Sequence, residues 1–508
     1  MENHQNALPP EGAAKPAQNS RKYPDMTPRD RRFLLGTALF CVLMADTLLW
    51  YGPTAGMTAL VGVWYALVLS YLGPAPLAIR SNQVLLLFNL FLAVTLALTS
   101  SWYFRVWNCL ALLALLPLHA LALSGAGRLP WQRPAMLWEL LCLLLWGLFG
   151  HLGAGFAALS AGKGAKNSRR TAALLLGLAG AAALVAVLLP VLASADALFA
   201  AATADLRSWI SSHFSTALWK LLVGLALTPF FFGFLYSLRR PTPLKYELRD
   251  RAPAAEALAP ALILAALDVL YLLFLGVQSA GLFGGPAYLA QRGISYAEWA
   301  RSGFFQMVGV TVVNLTVLLA ALTLSGRSGR TWKVLRGLAA VLVAESLVLL
   351  ASAAWRMTLY VSAYGLSFKR CMTYWGMAMM ALFLLTALWK VLRPDFGFCR
   401  WAFPLALAGW LVINCVPVDA LVARDQADRY LDGETSSIDV EYLLYDLSYD
   451  TLAQLGRLDG SLICRNWETG GQARLDTLIA ERRAEARAEC ADWHTWSLSA
   501  CLAALGGT

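Results

Sequence analysis

The most regular feature of the chain is a succession of apolar windows, each about 20 residues long and closed by charge, proline or a glycine cluster. Such a length, wound as a helix, matches the hydrocarbon thickness of a bilayer, so each window predicts a membrane-spanning α-helix. Twelve windows qualify: Phe33–Tyr51, Ala55–Leu72, Val84–Ser101, Val106–Leu123, Met136–Leu159, Thr171–Leu192, Thr216–Leu238, Ala257–Phe283, Phe304–Leu324, Trp332–Ala354, Met372–Val391 and Trp401–Val416. The fold class expected is all-α, a polytopic transmembrane helical bundle over residues 33–416.

Basic residues decide how many windows cross. Cytosolic loops carry the excess of Lys and Arg, and five basic segments need a common side: the leader (Arg21, Lys22, Arg29, Arg31, Arg32), Arg128–Arg170, Arg239–Arg251, Arg327–Arg336 and Lys390–Arg400. If all twelve windows cross, the leader and Arg169, Arg170, Arg239, Arg240, Arg327 and Arg330 fall on opposite sides. If the fifth does not fully cross, about 25 basic residues share one face against about 7 on the other. That window holds Glu139, His151 and the glycines Gly147, Gly150, Gly153 and Gly155, which suits a re-entrant or interfacial segment over residues 135–159. The expectation is eleven spans, twelve being the rival count, with the N-terminus cytosolic and the C-terminus outside.

The pattern changes at both ends. Residues 1–32 are polar and proline-containing and lack the apolar core of a signal peptide, so they read as a disordered basic cytosolic leader. After Val416 come Asp419, Asp425, Asp428, Asp432, Glu434, Asp439, Glu441, Asp446 and Asp450, which predict a soluble, extracytoplasmic tail over residues 417–508. Val440–Leu455 has apolar residues at helical spacing and Leu475–Glu489 reads as a charged helix, so the tail is expected to be a few short helices. Cys464, Cys490 and Cys501 lie in it, where a disulfide forms if that side is oxidising.

Composition agrees. At 508 residues, 58% hydrophobic and 14% charged, the chain is too apolar for a soluble globule, and its main partner is a lipid bilayer. The net charge of +10 is spread over short loops rather than gathered on one face, which argues against nucleic acid. No phosphate-binding loop, dinucleotide fingerprint, nucleophile elbow or metal-ligand spacing occurs, so no cofactor, no metal and no catalytic residue is assigned, and an enzyme is disfavoured.

Two constellations remain. Asp46, Lys220, Asp268 and Glu345 fall inside predicted spans, where a charge at a helix centre costs roughly 2.5–3.5 kcal/mol. Asp46, Asp268 and Glu345 suit a proton or cation path; the competing reading is that they tie neighbouring helices together. The second constellation lies in three loops predicted on the outer face. Arg292–Phe305 contains Glu298 and Arg301; Trp355–Arg370 contains Arg356, Tyr360, Tyr364 and Arg370; Asn414–Tyr430 contains Asp419 and Arg424. Guanidinium groups beside tyrosine hydroxyls hold phosphate or carboxylate, so these eight residues are candidates for an anionic envelope ligand or a partner protein. The alternative is that the arginines pair with Glu298, Asp419 and Asp425 to pin the loops.

The same stretches carry a resemblance. ISYAEWARSGFF at Ile294–Phe305, RMTLYVSAYGLSFKR at Arg356–Arg370, VDALVARDQADRYL at Val418–Leu431, SADALF at Ser194–Phe199 and DWHTWSLS at Asp492–Ser499 resemble a family of bacterial multi-pass membrane proteins known only as a domain of unknown function, numbered 4173 and related to 4153. The resemblance implies a cytoplasmic-membrane protein with a polar C-terminal tail and passes on no residue roles. The expected activity is that of a non-enzymatic envelope component binding such a ligand or partner. The alternatives are an ion-coupled secondary transporter using Asp268 and Glu345, and a membrane-embedded transferase on a lipid-linked substrate.

Overall fold

A computed structural model describes residues 26–125, 135–160, 216–240, 256–290 and 304–506 apart from 468, with scattered positions between 177 and 208. The described residues are overwhelmingly helical, as the windows predict. Helix α1, Pro28–Met44, opens with a capping box: the Thr27 side chain accepts from the Asp30 amide, and the Asp30 carboxylate accepts from the Thr27 amide at 2.8 Å. Proline at its first position needs no partner for the amide it lacks. The helix thus starts inside the stretch read as leader; residues 1–25 lie outside the described ones. A π-helical segment, Ala45–Tyr51, continues it.

Further helices are α2 Ala55–Leu72, α3 Arg80–Leu98, α4 Trp102–Ser124, α5 Ala135–Gly150, α6 Gly153–Ser160, α7 Thr216–Arg239, α8 Leu258–Ala290, α9 Phe304–Leu324, α10 Gly329–Tyr364, α11 Phe368–Leu392 and α12 Phe398–Asn414. Among the described residues eight helices are long and apolar enough to cross a membrane, or up to ten if each bent pair is one span. The expected eleven or twelve are therefore not reached there. Window Thr171–Leu192 lies largely outside the described residues, and α9 contributes only the shorter apolar stretch Val308–Leu324. The fifth window is a broken pair, Trp138–Gly150 and Gly153–Leu159, bent by 46°. The stretch read as a loop from Trp355 is helical as far as Tyr364, because nothing before Gly365 interrupts α10.

The chain divides into two compact units. In the first, residues 1–45 and 145–240, α1 packs on α6 and α7 around Leu34, Ala154, Ala158, Phe232 and Tyr236. Gly224 brings the backbones of α1 and α7 together: a Cβ there would stand 2.5 Å from the Val42 Cα. Small residues permit this approach, from which helices in lipid gain van der Waals contact.

In the second unit, residues 46–144 and 241–508, one group comprises α2, α3 and α4, joined by buried polar bonds. Tyr65 Oη lies 2.8 Å from His119 Nδ1 and accepts from Asn89 at 2.8 Å. Asn108 on α4 donates to Thr95 on α3 at 2.8 Å and to Asn414 on α12 at 2.6 Å, while accepting from Trp410 at 2.8 Å. A second group gathers α8, α9, α10 and α11 around Leu264, Leu318, Leu335, Ala339, Leu342 and Leu384.

The tail belongs to this unit. It contains α13 Val418–Leu431, a short turn α14 Leu452–Leu455, α15 Leu475–Ala491 and α16 Leu498–Leu505. Val440–Leu455 is not one helix but π, 3-10 and α turns in succession. An antiparallel hairpin, β1 Ile463–Arg465 with β2 Gln472–Arg474, interrupts the expected helices, with Cys464 facing Ala473. Cys490 and Cys501 form a disulfide joining α15 to α16.

Gly224→Ala is expected to destabilise the α1–α7 contact by about 1–3 kcal/mol, the usual range for overpacking a close approach. A lowered thermal midpoint in detergent would show this; an unchanged midpoint would mean the two backbones separate without cost.

Candidate functional site: a buried carboxylate pair

Over its described side chains, helix α8, with Ala257 just before it, presents one narrow buried stripe, Ala257, Ala261, Leu264, Asp268 and Tyr271, recurring at three- and four-residue steps. Its neighbours Val269, Leu270, Leu272 and Leu273 are exposed on the other faces, as lipid contact requires. Asp268 therefore sits among core residues rather than at an edge. Facing it from α10 is Glu345, in a buried row with Leu342, Ser346 and Leu349. Each carboxylate residue is only 4% exposed. The two side chains reach each other, and no other described donor reaches any of their four oxygens. Two anions so placed repel in a medium of low dielectric, whereas one shared proton turns the contact into a hydrogen bond.

A polar chain begins one turn from Asp268. Tyr271 donates to Asn314 on α9 at 2.7 Å, and Asn314 donates to Ser346 on α10 at 2.9 Å. Tyr271, Asn314 and Ser346 all escaped the sequence reading. The available signal was that Tyr271 stands three residues after Asp268 and shares its face.

The third in-span carboxylate, Asp46, does a different job. It lies in the π-helical segment after α1, and its Oδ2 is 3.0 Å from His494 Nε2 in the tail. Asp492 holds the other ring nitrogen at 2.8 Å and the His494 amide at 2.9 Å. Tyr51 stacks on the imidazole at 3.9 Å, and the Gly56 amide donates to the His494 carbonyl. Nearby, Ser100 Oγ meets Ser499 Oγ at 2.8 Å and accepts from the Tyr449 amide, so the α3–α4 turn also carries the tail.

Of the eight outer-loop candidates, Glu298 and Arg301 lie outside the described residues. Arg356 is buried near the end of α10. Arg370 stands over the Tyr360 ring at 4.3 Å and donates to the carbonyls of Tyr364 and Gly365. It thereby caps α10, where Gly365 has φ +72° and a Cβ would meet the Gln426 and Asp425 side chains. Tyr364 packs on Tyr360. Asp425 accepts from the Leu366 amide at 2.6 Å, Gln426 donates to the Leu366 carbonyl, and Arg429 donates to the Ser362 carbonyl. Asp419 accepts from the Ser448 amide. Arg424 pairs with Asp428 at 3.6 Å, and Arg457 joins the same carboxylate at 2.7 Å. Arg370 and Arg424 are thus turned to separate partners rather than to one anion.

Residues 86–458 match the domain of unknown function DUF4153. They make up more than half of the chain, which therefore belongs to that family; its number is 4153, which the sequence resemblance gave as the relative of 4173. No curated protein and no solved structure matches the chain.

Replacing His494 by Ala should loosen the tail, read as faster hydrogen exchange at Gly56 and over residues 492–505. The His494 contacts hold the Asp492 carboxyl below the usual carboxylate range. Its contribution is therefore complete above pH about 4 and fades as the pH falls through the lower folded-state value. Unaltered exchange in the variant would show that the Asp46–His494 contact does not hold the tail.

Proposed function

We propose that this multi-pass membrane protein is a proton-coupled secondary transporter whose coupling site is the Asp268–Glu345 pair. The observation that carries the reading is two buried carboxylates, on two spanning helices, with only each other as partners among the described residues. If their role were to tie helices together, a cation or a set of N–H donors would be expected between them. A pair that alternates between one bound proton and none changes the attraction between α8 and α10, which is what coupling to a gradient needs. The activity first expected from sequence, capture of an anionic envelope ligand or partner at the outer loops, has less support than this alternative, since Arg370 and Arg424 are occupied within the protein.

We also read the tail and the turns it touches, 52–54, 99–101 and 365–367, as lying outside. Contact with one tail puts those turns on one side, so the chain between 101 and 365 crosses an even number of times. Seven windows lie between them; an odd number must therefore fail to cross, and the broken α5–α6 pair is the natural one. The opposite ends are joined separately: Arg327 pairs with Asp395 at 2.9 Å, and Arg336 donates to the carbonyls of Val391 and Leu392. The Cys490–Cys501 disulfide suits an oxidising exterior.

In lipid, pH-difference infrared spectra between about pH 4 and 9 should contain a protonated-carboxyl band that both Asp268→Asn and Glu345→Gln abolish. In proteoliposomes, the same variants should lose substrate-driven proton uptake. Retention of the band in both variants would reject the site. In intact spheroplasts, an impermeant maleimide should label Glu434→Cys and reach Asp395→Cys only after permeabilisation; the reverse pattern would invert the topology.

A further inference from the structure

The tail ends in a helix that water does not explain. Between Trp493 and Gly506 there is no Asp, Glu, Lys or Arg, whereas the preceding α15 carries seven such residues in its seventeen, namely Asp476, Glu481, Arg482, Arg483, Glu485, Arg487 and Glu489. On α16 the inner face is Ser499 and Ala500, both buried, with Ala503 and Ala504 against the tail core. The outer face is Leu498, Leu502 and Leu505, exposed by 41%, 60% and 69%. These positions are four and three residues apart and so form one stripe. Trp493 and Trp496, just before the helix, are also exposed.

The place of this stripe identifies what covers it. Ser499 is bonded to Ser100, and Ser100 lies in the turn between spans α3 and α4. Trp102, immediately after that turn, is 68% exposed, and Trp50 and Trp107 are exposed near the same helix ends. Exposed indoles at span ends form the aromatic belt of a bilayer interface, and α16 is held at that level. An apolar stripe on an uncharged helix, continuous with lipid-facing span ends, fits the boundary between headgroups and acyl chains. We infer that α16 and Trp493–Trp496 lie in the outer bilayer interface, so that the tail binds lipid directly as well as through its helix-end turns.

The test uses full-length protein labelled with 5-fluorotryptophan in nanodiscs, with Trp493→Phe and Trp496→Phe assigning the two resonances. A nitroxide carried on the lipid headgroup should broaden both as strongly as it broadens Trp102, while a soluble paramagnetic chelate should affect them less than it affects Trp467. Broadening by the soluble agent with indifference to the lipid nitroxide would overturn the inference. So would protection that depends on protein concentration and not on the lipid label, which would assign the stripe to a second copy of the chain.

Discussion

Hydrocarbon offers no hydrogen bonds, and this single constraint organises the molecule. Every polar group carried into the bilayer must find its partner within the protein. Backbone groups do so by forming helices. Side chains do so across helix pairs: Tyr65 with His119 and Asn89, Asn108 with Thr95, Asn414 and Trp410, Tyr271 with Asn314 and Ser346. These bonds specify which faces meet, something an exchange of leucine for lipid tails does not do. Against that background the Asp268–Glu345 pair stands apart, because its partners are equally acidic.

The helical class and most span positions were legible in sequence, because a run of about 20 apolar residues has few other places to go. Where the reading failed, local signals were absent or overridden. Trp355–Tyr364 is polar enough to resemble a loop, yet no residue there breaks a helix, and α10 continues until Gly365 supplies a left-handed turn. The hairpin at 463–474 contains only three residues per strand, too few for an alternating pattern to register.

The site was half legible. Asp268 and Glu345 could be picked out because charges are rare in spans, but nothing in a linear pattern says that residues 268 and 345 face one another. Asp46 looked equivalent to them and is instead bonded to His494, a partner 448 positions away. The arginine and tyrosine residues recurring every four positions do share a helical face, as periodicity requires. Their use is decided by tertiary contacts: Arg370 closes the end of α10, and the segment Asp425–Arg429 wraps the turn that follows.

The length of α10 has a mechanical consequence. Thirty-six residues make a rod of about 54 Å, far longer than the roughly 30 Å of hydrocarbon it traverses. Arg336, near one tip, grips the end of α11, and the opposite tip is clasped by α13 through Leu366. Glu345 rides partway along this shaft. A stiff cylinder transmits axial displacement undiminished, so a nanometre-scale lever connects the acidic pair to the C-terminal tail, and any piston stroke at one is felt at the other.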